Sequence, residues 1–126
     1  MEYISQGCLN ITGYSDQDFY SNNITWKNII LEEDRERVWE EVANSVLKQL
    51  PFEIEYRIRH RDGSIRWLWD KECGVYGKNG EVIALEGFIT DVTNRREIED
   101  ALKASMKNYR ELIDGILSRY RVNVRI

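Results

Sequence analysis

Few residues in this chain are of a type that could do chemistry, and they are scattered. His60 is the only histidine and stands between Arg59 and Arg61. General acid–base catalysis needs a base within reach of an orienting acid and a nucleophile, and no Ser/His/Asp or Cys/His grouping forms around it. Cys8 and Cys73 are the two thiols; their separation gives neither metal-ligand spacing nor a disulfide framework, so both are expected to be reduced core residues. Glu32-Glu33-Asp34 set three carboxylates in succession. They suit an exposed first turn of a helix, where the backbone dipole favours negative charge, better than acid–base work. There is no phosphate-cradling glycine loop and no His/Cys cluster. These residues argue against an enzyme.

Two other constellations carry more. At Asp91-Val92-Thr93 a period-2 pattern gives way to one near 3.6. Thr93 or Asn94 can accept a hydrogen bond from the first free N–H groups of a helix, with Glu97 three beyond Asn94 as in a capping box. Beyond it, Ile98, Leu102, Ser105, Tyr109, Leu112 and Ile116 step by 4, 3, 4, 3 and 4, a heptad seam that suits pairing between helices. Ala101, Met106 and Ile113 widen the stripe. An amphipathic helix folded onto its own domain would carry a similar stripe.

The elements that must position these residues are legible. Residues 52–59 put apolar side chains on even positions and charges on odd ones, the alternation of a half-buried strand. Asp62-Gly63 and Asn79-Gly80 are hairpin dipeptides, separating a second strand over 65–76 and a third over 82–92. The third is apolar on both faces, which places it well inside a sheet. In the second strand Ile65, Trp67 and Trp69 alternate with Arg66, Leu68 and Asp70, and the tryptophans are expected in a core or interface. The N-terminal third reads as a short strand at 2–5, short helices at 6–12 and 16–20, the latter capped by Ser15, and a helical or turn segment at 25–31. A longer helix over 33–49 carries Val38, Trp39, Val42, Val46 and Leu47 on one face, and Pro51, the only proline, ends it.

Length and composition fit one small domain plus an appendage: 126 residues, 42% of them hydrophobic. The net charge of −4 hides an asymmetry. Residues 1–93 carry ten Lys/Arg against seventeen Asp/Glu, and residues 94–126 carry eight against five. A domain that acidic lacks the basic footprint needed to neutralise phosphates, so no nucleic-acid partner is expected. No apolar run approaches the ~20 residues of a membrane span and no leader pattern opens the chain. A cytoplasmic protein without direct membrane insertion is the expectation.

The order and spacing of Tyr3-Ile4-Ser5, Gly13-Tyr14, Trp26, Glu33-Asp34-Arg35, Tyr56-Arg57, Asp62-Gly63-Ser64, Arg66-Trp67, Gly80-Glu81-Val82, Gly87 and Asp91-Val92-Thr93 resemble the Per-Arnt-Sim (PAS) sensor domains with their C-terminal PAC motif. The resemblance covers roughly residues 2–97. It implies an α+β fold, an antiparallel sheet of five strands in order 2-1-5-4-3 with helices over one face and a C-terminal linker helix. It also implies a sensing module of a multidomain signalling protein such as a sensor histidine kinase of a two-component system. Family members hold ligands between helices and sheet. Haem-binding relatives place their ligand on the long helix, which has no histidine here, and flavin-binding light sensors need a Gly-x-Asn-Cys-Arg-Phe-Leu-Gln segment absent here. The cofactor, if any, is therefore unknown, and a small organic ligand remains open.

The same resemblance assigns Asp91 and Thr93, with Gly87, to signal relay from strand to helix. It assigns Ile98, Leu102, Tyr109, Leu112 and Ile116 to a dimeric coiled-coil linker, with a homodimer expected through the helix or the tail. A ligand-free dimerisation spacer is the alternative. The division is 1–93 as the PAS domain, 94–117 as linker helix and 118–126 as a strand-like tail. The family's first strand is missing from its usual place, since the chain starts at the second. The alternation of residues 120–126 makes the tail a candidate for that slot or for the start of a following PAS domain, with a turn at 115–118.

Overall fold

In a computed structural model the chain is described over residues 7–119. It divides into two compact units, Met1–Thr93 and Asn94–Ile126. The strand expected at 2–5 and the tail at 120–126 lie outside the described residues.

The first unit begins with three short helices, α1 (Cys8–Thr12), α2 (Asp16–Tyr20) and α3 (Trp26–Ile29). Side chains start α2 and α3, and Gly13 at φ 80 ends α1. Ser15 caps α2 in a full capping box, accepting from Asp18 N at 3.2 Å while Asp18 Oδ2 accepts from Ser15 N at 3.0 Å. Thr25 accepts from Asn28 N at the start of α3. Thr12 is fully buried; its hydroxyl donates to Cys8 O and accepts from Tyr14 N, while its carbonyl takes Arg61 N–H at 2.9 Å. That last bond fastens α1 to the first hairpin.

The long helix α4 (Glu32–Leu47) stops short of Pro51. Gln49 takes a left-handed conformation at φ 55, Gln49 N–H reaches Val46 O at 3.1 Å and Leu50 N–H reaches Ser45 O at 2.8 Å. These two bonds form a Schellman motif, so the helix is closed by its own C-terminal carbonyls rather than broken by the proline. The face it buries also differs from expectation. Asp34, Val38 and Ser45 are buried, whereas Trp39 and Leu47 are 72% and 82% exposed. The i, i+4, i+8 row from Asp34 through Val38 to Val42 faces the core, and Trp39 falls a quarter-turn off it.

The sheet is antiparallel in order β1 (Phe52–Arg59), β2 (Ile65–Tyr76), β3 (Val82–Asp91). Gly63 at φ 89 and Gly80 at φ 83 supply the positive φ of the two hairpin turns. On β1 the period-2 reading holds: Phe52, Ile54, Tyr56 and Ile58 are all buried. In the register Tyr56 faces Leu68 and Ile54 faces Asp70, so the buried face of β2 is the one bearing Leu68 and Asp70. Trp67 and Trp69 project from the other face, half-buried, with Arg57 over Trp67 and Phe88 edge-on to Trp69 at 5.4 Å. Cys73 shares that outer face and is exposed, contrary to the core role expected of it, while Cys8 is buried.

β3 is the edge of this sheet among the described residues, not an interior strand. Val82, Ile83, Leu85 and Phe88 are exposed. α4 packs against β1, so apolar character on both faces of β3 is not matched by cover. Gly87 is required where β3 crosses β2, because a Cβ there would collide with the Lys71 carbonyl oxygen and the Glu72 Cα.

One ion pair joins the helical layer to the sheet. Asp34, placed in the first turn of α4, accepts three hydrogen bonds from Arg57 of β1: backbone N at 2.9 Å, Nε at 3.0 Å and Nη2 at 2.8 Å. The exposed-helix-start reading of Asp34 is thus overturned, since it is 5% exposed and committed to the sheet. The Arg57 hydrogen bond holds its carboxyl below the usual aspartate range.

Asp34→Ala should cost about 2–3 kcal/mol in chemical denaturation, because it strands the Arg57 donors beside the core. The depressed carboxyl contributes stability above the ordinary aspartate range that is lost as pH falls through and below it. Wild-type stability should therefore drop in acid more steeply than that of Asp34→Asn. Gln49→Gly should raise stability by about 0.5–1 kcal/mol on removing a side chain from the left-handed region, read as a higher denaturation midpoint with an unchanged slope.

Candidate functional site

Two groupings in the first unit have the geometry of a functional site. The first lies where the chain leaves the sheet. Asp91 Oδ1 accepts from Thr93 N at 2.9 Å and from the Thr93 hydroxyl at 2.5 Å. That hydroxyl in turn accepts from Trp67 N at 2.9 Å, and Val92 N–H donates to Trp67 O at 2.8 Å. Arg66 Nη1 lies 3.7 Å from Asp91 Oδ2. The helix α5 (Thr93–Arg119) begins at this knot.

Asp91 satisfies the first helical N–H, and the Thr93 hydroxyl spans to β2. Thr93 is 6% exposed. Asp91 and Thr93 are therefore brought together, and Trp67 belongs with them. Gly87 lies four residues up β3 and makes its close approach to β2 at Lys71 and Glu72.

The second grouping lies on the inner face of the sheet. Trp26 Nε1 donates to Tyr56 Oη at 2.9 Å, and the Tyr56 hydroxyl donates to Asp70 Oδ2 at 2.7 Å. Asp70 is 6% exposed, and its Oδ1 receives no hydrogen bond from a donor among the described residues. Glu72 stands two residues on, on the same face of β2, and its carboxyl interacts with that of Asp70.

Burial raises the Asp70 carboxyl, and burial together with Asp70 pushes Glu72 up to about 8. Burial beside Asp70 likewise raises the Tyr56 hydroxyl, so it stays a donor. Two carboxyls that repel each other in a site of low polarity resist ionising together. The chain Trp26–Tyr56–Asp70–Glu72 was not singled out from the sequence. The signal was present in parity alone: Asp70 and Glu72 sit two and four residues past Leu68, on the face that β1 covers.

The remaining candidates stay apart from both groupings. His60 Nδ1 accepts from Asp62 N at 3.1 Å and lies 3.1 Å from Asp62 Oδ1, all within the first hairpin turn. The Cys8 thiol donates to Tyr14 O at 3.4 Å, and burial pushes it up. Among the described residues no three His, Cys, Asp or Glu side chains are grouped to hold a metal ion, and no helix is long and apolar enough to cross a membrane.

In the second unit α5 continues through residues 115–118, where a turn was expected, with Ser118 Oγ donating to Gly115 O. Ile98, Leu102, Tyr109, Leu112 and Ile116 lie along it, between 41% and 68% exposed.

Comparison with known proteins agrees with this architecture. Residues 1–89 match the family described as PAS fold. The chain is 24% identical over 116 residues to the methyl sulfide methyltransferase-associated sensor of Methanosarcina acetivorans, covering 91% of this chain and 12% of that protein. It is 31% identical over 91 residues to the probable diguanylate cyclase DgcE of Escherichia coli, covering 72% of this chain and 8% of that protein. Among solved structures, the sensory box histidine kinase/response regulator from Burkholderia thailandensis superposes with a TM-score of 0.72 at 30% identity, over 86% of this chain and 81% of that one. The chain belongs to the PAS fold family, the signal-sensing modules of signalling proteins.

Proposed function

We propose that this module, as part of a longer signalling protein such as a sensor histidine kinase or a diguanylate cyclase, relays a cue received on its sheet through the Asp91–Thr93–Trp67 knot into α5. The observation that carries the reading is the Thr93 hydroxyl, which holds Trp67 N of β2 on one side and Asp91 of β3 on the other at the first residue of α5. A change in the spacing of β2 and β3 must alter the direction in which that helix leaves. Gly87 permits the tight β2–β3 approach that makes such spacing well defined.

The proposed output geometry is a homodimer through α5. The 4-3-4-3-4 spacing of Ile98, Leu102, Ser105, Tyr109, Leu112 and Ile116 supports it, and so does the exposure of the apolar members. Arg95 and Glu99 form an i, i+4 pair at 3.0 Å on the same helix. The module is proposed to catalyse nothing itself: its titratable inner-face groups are held by one another, and His60 is engaged with Asp62 inside its own hairpin turn. A cytoplasmic setting fits its two free thiols.

Asp91→Ala in the intact signalling protein should uncouple output from cue while leaving the module folded, at a stability cost of about 1 kcal/mol for one lost cap. Output that still follows the cue, with normal amplitude, would sink the relay reading. Leu102→Glu with Leu112→Glu should turn a dimer into a monomer in sedimentation, with the circular dichroism of the sheet unchanged. A double variant that remains dimeric rules out α5 as the dimer seam.

A further inference from the structure

We propose that Asp70 and Glu72 form a proton-binding site on the inner face of the sheet, a single shared proton being held between the two carboxyls and released as the pH rises. Both side chains leave β2 on the face that packs inward. Asp70 Oδ2 is taken by the Tyr56 hydroxyl, while Oδ1 is buried without a partner among the described residues, and Glu72 stands next on the same face of β2. An ionised carboxylate can only accept hydrogen bonds. Two in contact are therefore satisfied only with a proton between them.

The surroundings favour that proton. Across the ladder, β1 sets Ile54 opposite Asp70 and Phe52 opposite Glu72, while β3 sets Ile89 and Gly87 opposite the same pair. Gly87 leaves free the space that the Glu72 side chain fills, since a Cβ there would lie 2.7 Å from Glu72 Cγ. Tyr56 of β1 faces the pair as a donor to it, and further along the same face the Tyr76 ring lies over Gly74 with its hydroxyl donating to Val46 O of α4. From α3 Tyr56 is reached through the uncharged Trp26 indole. The one charged side chain on the buried face of α4 is Asp34, already matched by Arg57.

Release of the proton leaves two negative charges in contact on β2, three residues from Trp67, whose N–H and C=O both enter the exit knot. The consequence for output rests on the relay reading above; the existence of the site does not.

Carboxyl carbon NMR titration of the folded module tests it. One Asp/Glu carboxyl, assigned to Glu72, should titrate near pH 8, and Glu72→Gln should abolish the step. The new amide can donate to Asp70 Oδ1 in the proton's place.

The sign for stability follows from the raised carboxyl. Between the ordinary glutamate range and about pH 8 the folded state keeps a proton that the unfolded state has lost. Stability therefore falls with rising pH across that window and levels off above it. The wild-type Tm should fall by about 10 °C between pH 6 and 8.5, and that of Glu72→Gln should stay level; Asp70→Asn serves the same comparison if the first variant fails to fold.

A spectrum in which every carboxyl titrates below pH 6, or a step that survives in Glu72→Gln, overturns the site. A step present alongside an output indifferent to pH from 7 to 9 overturns its sensing role. Failure of Asp91→Ala to uncouple the protein bears on the relay alone.

Discussion

The bond set between Asp34 and Arg57 is the constraint on which the rest of the first unit depends. A helix of sixteen residues and a three-stranded sheet can slide past each other as long as only apolar surfaces meet, because burial is non-directional. Asp34 removes that freedom. It holds both the backbone and the guanidinium of Arg57, so the helix start is fixed to one residue of β1. Leu31 N–H to Arg57 O and Arg35 Nε to Ile30 O extend the same attachment on either side. Once α4 is set, Val38 and Val42 face β1. The aromatic group Phe19, Trp26 and Tyr14 then fills the space beneath α2 and α3.

From that frame the two polar groupings acquire their character. Trp26 reaches Tyr56 only because α3 is held over β1 by the Ile30–Ile58 bridge. Tyr56, almost fully buried, then has one direction for its hydroxyl, toward Asp70. A buried acid with one oxygen satisfied and the other facing a second acid is costly to ionise fully. Such an arrangement contributes little to stability and is a place where the free energy of the fold responds to protonation. The exit knot is the counterpart at the far end of the same strand. There the Asp91 carboxylate and the Thr93 hydroxyl between them take up the donors of Thr93 and Trp67, and Val92 N–H finds Trp67 O, tying β2 to the first residue of α5.

Local chemistry made much of this visible in advance. Gly63 and Asn79-Gly80 announce their turns because positive φ is cheap for few residues. Ser15 and Asp18 announce α2 because a capping box is complete within four residues. The alternation of β1 survives because its charged residues, Glu53, Glu55, Arg57 and Arg59, leave only one face to bury. Where both faces of an element look apolar, the reading went astray. β2 carries tryptophans on one face and Leu68 on the other, and hydrophobicity would favour the tryptophans as core. In α4, Trp39 has greater apolar surface than Val38, yet a quarter-turn separates them and Asp34 decides which side turns inward.

The amino-acid sequence by itself determined the family, the hairpins, the Ser15 cap of α2 and the presence of Asp91 and Thr93 at a change of period. All of these depend on contacts within a few residues or on a pattern of spacing. Only the tertiary structure decided which face of β2 is buried, that Asp34 clamps Arg57 across 23 residues, that the Thr93 hydroxyl serves Trp67 across 26, and that Asp70 meets Tyr56 and Glu72 in a buried site. The physical reason is common to them. A polar side chain acquires its role from partners brought to it by packing, and the free energy that selects those partners belongs to the assembled layers rather than to any segment read alone.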